Sequence, residues 1–269
     1  MKNKLNLKDI QALIIDMDGV LWLGQTPLPG LVDFFDFLQG RAIPFILATN
    51  NASKTPWQYV QKLAGFGVTI NSEQVLTSSL ATAAYLSHEF QAGSRVYVVG
   101  QDGLREALEA AGFIVLNDAS QPADIVAAGV DFTLTYDRLK YATLLIRRGA
   151  RFVGTNADLT FPAEEGAIPG AGAILAAIQA ATGTTPTVIG KPERFMFDIA
   201  VEKMGSDPHH TAMLGDRLET DILGGQRAGL KTILVTSGID NEETISTKEI
   251  YPDAIFSGID ELTRMWQGL

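Results

Sequence analysis

Asp16 and Asp18 stand two residues apart, immediately after the apolar run Ala12-Leu13-Ile14-Ile15 and immediately before Gly19. A continuous run of branched apolar residues fits a strand covered on both faces, as in a parallel sheet. A carboxylate at the end of such a strand is costly unless a metal ion or a lysine balances it. Two carboxylates so placed have the types needed for a nucleophile and a proton carrier. They equally suit a plain acidic turn before a glycine.

Three further sites repeat the arrangement. Thr49, Asn50 and Asn51 close the strand-like run from Pro44, Lys191 follows Thr187 to Gly190, and Asp216 follows Thr211 to Gly215 with Asp221 five residues later. Taken singly, each has an ordinary reading: a cap and turn at Thr49-Asn50-Asn51, a solvated lysine ahead of a helix at Lys191-Pro192, and an acidic first helical turn at Asp216 to Asp221. Taken together they gather on one rim, because open α/β sheets bind ligands beyond the carboxyl ends of their strands. Carboxylates, a hydroxyl, amides and one lysine suit phosphoryl transfer, in which positioning and charge neutralisation do most of the work. Asp16 and Asp216 could hold Mg²⁺, an oxygen-seeking ion. Asp16 would then stay ionised and attack phosphorus, Thr49 and Asn50 would donate to the transferring oxygens, and Lys191 would balance the accumulating charge. Asp18 could protonate the leaving oxygen and then activate water.

The elements that must position these residues alternate along the whole chain, which predicts an α/β fold. Core strands are expected at Ala12 to Asp16, Pro44 to Thr49, Thr187 to Gly190, Thr211 to Gly215 and Lys231 to Thr236, with Ala254 to Phe256 at an edge. Leu31, Phe34, Phe35 and Leu38 keep the spacing of a helix with one buried face. Thr55-Pro56 reads as an N-cap followed by proline in the first turn of a helix that stops near Gly65 to Gly67. The middle of the chain alternates on its own: Arg95 to Val99, a helix over Leu104 to Ala111, Phe113 to Leu116, Ile125 to Ala128, a helix over Leu139 to Arg148, and Arg151 to Val153. The expected architecture is therefore a Rossmann-like parallel-sheet core, residues 1–80 and 184–269, with a smaller α/β domain inserted at 81–183.

Composition sets the outer bounds. A chain of 269 residues with 46% apolar and 19% charged residues can bury a large core, and no apolar run approaches the roughly 20 residues of a membrane span. The basic start Met1-Lys2-Asn3-Lys4 is not followed by a sustained apolar segment, so no secretory signal is expected. The absence of cysteine excludes disulfides, thiolate metal sites and cysteine catalysis, and fits a cytoplasmic location. A net charge of −10 disfavours nucleic acid as a partner. A small anionic substrate stays compatible with it, since one lysine and one cation in a cleft can overrule the global field.

The ordered set Asp16-Met17-Asp18-Gly19-Val20, Thr49-Asn50-Asn51, Gly190-Lys191-Pro192 and Gly215-Asp216-Arg217-Leu218-Glu219-Thr220-Asp221 resembles the haloacid dehalogenase superfamily phosphatases. The long insert, with Thr155-Asn156-Ala157-Asp158 and Ile168-Pro169-Gly170-Ala171-Gly172, is similar to the 4-nitrophenylphosphatase-like branch with a large α/β cap. The resemblance spans nearly the whole chain, and the four motifs show no departure. It implies a phospho-aspartyl intermediate on Asp16, acid/base work by Asp18, and Mg²⁺ bound by Asp16, the backbone carbonyl of Asp18 and Asp216, with Asp221 in support. It further implies a small phosphorylated metabolite as substrate, with sugar phosphates, nucleoside monophosphates, phosphoglycolate and pyridoxal phosphate all open, and a homodimer joined through the caps. The segment Gly19 to Gly30 resembles the flap over such sites, with Trp22 either a wall of the leaving-group pocket or packing for the flap. Asn156 and Asp158 are expected to contact either substrate or the backbone of the linker.

Rival readings remain. A phosphoacceptor signalling domain also combines acidic residues, a hydroxyl and a lysine on a parallel sheet, but it needs only about 100 to 150 residues and no insert. A non-catalytic binding protein on the same scaffold is the main alternative, since fold does not fix function, and the intact Asp16/Asp18 pair speaks against it. A dehalogenase would not require Asp216 and Lys191 around a metal. The three histidines, His88, His209 and His210, lie outside every motif and are expected at the surface or at helix ends.

Overall fold

The computed structural model describes residues 5–163 and 166–269. The chain divides into two compact units: Met1–Thr49, Trp57–Leu76 and Lys191–Leu269 form the first, and Asn50–Pro56 with Thr77–Gly190 form the second.

The first unit is built on a six-stranded sheet in the order Ala254–Phe256, Lys231–Val235, Thr211–Gly215, Ala12–Ile15, Phe45–Thr49, Val75–Thr77. The strands from Ala254–Phe256 through Phe45–Thr49 pair parallel throughout. Ala12–Ile15 lies in the middle and is buried along its whole length, as its unbroken apolar run requires. Its register sets Ile15 opposite Leu214 on one side and Leu47 on the other, so the next residue, Asp16, leaves the sheet beside Gly215 and Ala48. The helix Leu31–Gly40 buries Leu31, Phe34, Phe35, Phe37 and Leu38 in one cluster with apolar residues of this sheet, Phe37 meeting Trp266 of the helix Ile259–Gln267. Phe35 meets Phe34 and Phe45 edge-on, with ring centroids 5.7 and 5.3 Å apart. Each such buried aromatic is worth roughly 2 kcal/mol or more in removed apolar surface. The expected helix after Pro56 spans Pro56–Gly65.

The second unit carries a five-stranded sheet in the order Thr187–Val188, Arg151–Gly154, Ile125–Ala128, Arg95–Val99, Ile114–Leu116, parallel at every pairing. Tyr97, Val99, Val126, Phe152, Ile174 and Leu175 form its core. One expectation is corrected here: Thr187 to Gly190 does not join the strands of the first unit. Thr187 pairs with Val153 and Val188 with Gly154, and Ile189 and Gly190 continue by donating to the carbonyls of Gly154 and Thr155 at 3.1 and 2.8 Å. Lys191 therefore begins the chain's return to the first unit instead of ending one of its strands. The antiparallel hairpin Thr160–Ala163 with Gly166–Pro169 and the helices Ser78–Glu89, Arg194–Met204, Glu242–Lys248 and Ile259–Gln267 are among the elements that periodicity alone did not mark. No described helix is long and apolar enough to cross a membrane.

Candidate active site

Four segments of the first unit bring Asp16, Thr49, Lys191, Asp216 and Asp221 to the carboxyl ends of its central strands. Lys191 ties them together. Its buried ammonium donates to Asp16 Oδ1 at 2.5 Å, Asp221 Oδ1 at 2.7 Å and the Ala48 carbonyl at 3.1 Å, so each of its three protons has an acceptor. Burial alone would lower its pKa, but Asp16 and Asp221 overcome that and hold the ammonium above its ordinary value.

The carboxylates outnumber it. Asp16, Asp216 and Asp221 each present an oxygen, all within 4.8 Å of one another. Burial pushes the Asp16 carboxyl well up, and Asp221 and Asp216 add to the rise against the opposing pull of Lys191. Burial and then the charge of Asp221 push Asp216 up to about 7. Asp216 Oδ2 accepts from the Ile239 amide at 2.8 Å, while its Oδ1 is buried without a partner. An orphaned carboxylate oxygen beside two other carboxylates is a donor set for a hard divalent cation. Asp221 differs: Lys191 takes its Oδ1 and the Arg217 amide its Oδ2 at 3.1 Å, so both oxygens are already satisfied within the protein.

Local backbone explains why these side chains converge. Leu218–Ile222 forms a wide π-type turn, with the Ile222 amide reaching the Arg217 carbonyl at 3.2 Å, and this brings Asp221 back over Arg217. Such turns recur at functional sites. Gly19 has φ +88° and a Cβ there would run into the Asp216 carboxylate. Gly19→Ala is therefore expected to lose about 1–2 kcal/mol from the backbone alone, with a fall in turnover as Asp216 is displaced. Urea unfolding and a phosphatase assay check it, and an unchanged midpoint with full turnover would show that the loop has room.

Asp18 is exposed, and its Oδ1 accepts from the buried Trp22 indole at 2.7 Å. Trp22 is 0% exposed, so it packs the flap and presents no wall to a ligand. Thr49 is buried, beside the Tyr59 phenol, whose pKa burial and the charge of Asp18 raise. Asn50 and Asn51 belong to the second unit. There Asn50 Nδ2 donates to Asp158 at 3.1 Å, its carbonyl accepts from Asn156 at 2.7 Å and Ser78 at 2.6 Å, and Asn51 Oδ1 caps Ser53. Asn156 thus contacts linker backbone, one of its two expected roles. His88 and His209 are exposed, and His210 is half-buried in a short helical turn.

Residues 13–114 match the family model of the haloacid dehalogenase-like hydrolases, and residues 188–262 match a second HAD-hydrolase-like model. An acid sugar phosphatase of Staphylococcus haemolyticus is 40% identical over 254 residues, 94% of this chain and 95% of that protein. The chain belongs to the haloacid dehalogenase-like hydrolases. It is a phosphatase. Among solved structures, a 4-nitrophenylphosphatase of Thermotoga maritima matches with a TM-score of 0.90 at 37% identity, covering 96% of this chain and 98% of that one. A glycerol phosphate phosphatase of Mycobacterium tuberculosis, solved in complex with calcium, matches with a TM-score of 0.89 at 32% identity over 95% of this chain and 75% of that one.

In this haloacid dehalogenase-like phosphatase the Asp216 loop has a support that sequence reasoning missed. Asp240 is 1% exposed; its amide donates to the Asp216 carbonyl at 3.0 Å, and its carboxylate accepts from the Leu218 amide and from Lys248, both at 2.8 Å. Lys248 also donates to Glu219 at 2.6 Å. The signal was available in Thr236-Ser237-Gly238-Ile239-Asp240, a polar run at the carboxyl end of Lys231–Val235, which the same rim argument would have selected.

Proposed function

We propose that this phosphatase is a Mg²⁺-dependent phosphomonoesterase that works through a phospho-aspartyl intermediate on Asp16 and hydrolyses small phosphorylated metabolites, sugar or polyol phosphates foremost. The observation that carries the reading is the Lys191 bridge from Asp16 to Asp221 beside the orphaned oxygen of Asp216. Asp16, Asp216 and the Asp18 backbone carbonyl would hold the ion, and Asp221 would serve by fixing Lys191. When bound, Mg²⁺ supplies neutralisation of the charge on the phosphoryl oxygens. An Asp16 oxygen attacks phosphorus as the ester oxygen departs, and Asp18 gives its proton to that oxygen. Asp18 then takes a proton from water as the water attacks phosphorus, which releases phosphate and restores Asp16. Lys191 keeps Asp16 aimed, and the Thr49 hydroxyl donates to a transferring oxygen. The unit of residues 77–190 acts as the cap that selects the ester.

The sugar phosphate preference rests on the relative named acid sugar phosphatase. The test is a panel of p-nitrophenyl phosphate, glucose 6-phosphate and glycerol phosphate, each with Mg²⁺ and with excess EDTA. Turnover in Mg²⁺ should fall at least about 100-fold in EDTA and return when Mg²⁺ is restored. Full activity in EDTA would remove the metal from the reading, and indifference to all three esters would favour the binding-protein alternative.

A further inference from the structure

The flap contains a contact that the chemistry above does not use. The chain turns sharply after Asp18: the Leu21 amide donates to the Met17 carbonyl at 2.8 Å and the Gly19 amide to the Trp22 carbonyl at 2.8 Å. That turn folds Trp22 back beneath an exposed Asp18, where its Nε1 proton meets Asp18 Oδ1 at 2.7 Å. Trp22 is itself clamped. Tyr59 stacks on it at 6.5 Å and 17°, and the Lys62 ammonium lies 4.1 Å above the ring while donating to the Gly24 carbonyl at 2.7 Å. Lys62 therefore joins the helix Pro56–Gly65 both to the indole and to the turn of the hairpin that carries it.

We propose that Trp22 is a positioning residue that decides which oxygen of Asp18 carries the transferable proton, and that Lys62 locks Trp22 in that pose. An indole nitrogen is a donor only. Asp18 Oδ1 is then held as the acceptor, and because a carbonyl oxygen accepts better than a hydroxyl oxygen, the proton is favoured on Oδ2. An exposed aspartate without such a partner would spread over rotamers and over both oxygens. With it, Oδ2 delivers the proton to the ester oxygen as the phosphorus–oxygen bond breaks, and recovers a proton from the attacking water. The inference rests on the reading of Asp18 as acid and base.

The experiment compares kcat/KM for p-nitrophenyl phosphate, whose leaving group needs little protonation, with kcat/KM for glucose 6-phosphate or glycerol phosphate, whichever the parent hydrolyses faster. This ratio reports events up to departure of the leaving group, so slow hydrolysis of the intermediate does not mask it. Trp22→Phe keeps an aromatic ring and removes the proton donor. It should lower the alkyl ester about tenfold more than the nitrophenyl ester. Lys62→Met keeps the apolar stem over the ring, and should show the same preference at about threefold. Asp18→Asn is the control and should show the largest preference of the three. Should Asp18→Asn discriminate while Trp22→Phe slows both esters equally, Trp22 is only packing and the inference is overturned. Should Asp18→Asn itself fail to discriminate, the acid role of Asp18 is what fails. If thermal melting shows Trp22→Phe to be unfolded, Lys62→Met decides alone, and equal losses on both esters overturn the proposal.

Discussion

Asp16→Asn is expected to lose turnover of p-nitrophenyl phosphate by at least about 10⁴-fold, because an amide cannot form the covalent bond to phosphorus. Its stability should hardly change. The substitution weakens one hydrogen bond to Lys191, but it also removes a carboxylate that burial and two like charges already hold in an unfavourable state. These effects oppose each other, so the unfolding free energy in EDTA should stay within about 1 kcal/mol of the parent. Urea unfolding of both proteins in EDTA reads that difference. An inactive variant that also lost several kcal/mol would mean that Asp16 is structural, and its inactivity would say nothing of chemistry.

Lys191→Met should behave in the opposite way, failing in both respects. The Lys191 side chain is 3% exposed and the Asp221 side chain 1%, so removal of the ammonium leaves carboxylates facing one another in a poorly solvated site. Breaking a buried pair on one side typically costs about 3–5 kcal/mol, and part of that is relieved if a carboxyl takes up a proton. We expect a loss of about 3 kcal/mol in EDTA, partly recovered in Mg²⁺, since a ligand that binds only the folded state stabilises it. Turnover should fall by about 10³-fold or more even with Mg²⁺ present. Lys191→Arg should not rescue it, because a planar guanidinium fork does not match three acceptors arranged around a point charge. A Met variant as stable as the parent in EDTA would show that the carboxylates are balanced by something other than Lys191.

The contrast between these two variants follows from a site that carries more negative charge than its own lysine balances. Asp216 shows this most plainly, with one oxygen held by the Ile239 amide and the other left alone. Part of this was legible in the sequence. The runs at Ala12–Ile15, Phe45–Thr49, Thr211–Gly215 and Lys231–Val235 form strands where their branched apolar residues predict them, and polar residues follow each. Thr187 to Gly190 looked the same and went to the other sheet. A short apolar run states that it is a strand, but its partner is chosen by long-range pairing that periodicity does not encode.

The site was legible by type more than by partner. Asp16, Lys191, Asp216 and Asp221 were found because their spacing after strands is chemically unusual as a set. Asp240 was passed over although its segment follows the strand Lys231–Val235 on the same rim; what the sequence does not give is its partners, the Leu218 amide and Lys248. Asn50 was read for substrate, and its amide also donates to Asp158, a partner more than a hundred residues away that the sequence does not reveal. Trp22 was open between two roles because sequence does not reveal whether an aromatic ring faces inward.

The most direct test of the account is to find the covalent intermediate. The protein is quenched during turnover of p-nitrophenyl phosphate in Mg²⁺, reduced with borohydride, digested and analysed by peptide mass spectrometry, since an aspartyl phosphate is reduced to homoserine whereas a free carboxylate is not. The account predicts homoserine at position 16 alone, absent when substrate or Mg²⁺ is left out. Conversion at Asp18 or Asp216 in its place, or no conversion at any aspartate under conditions that trap a turning-over enzyme, would contradict it.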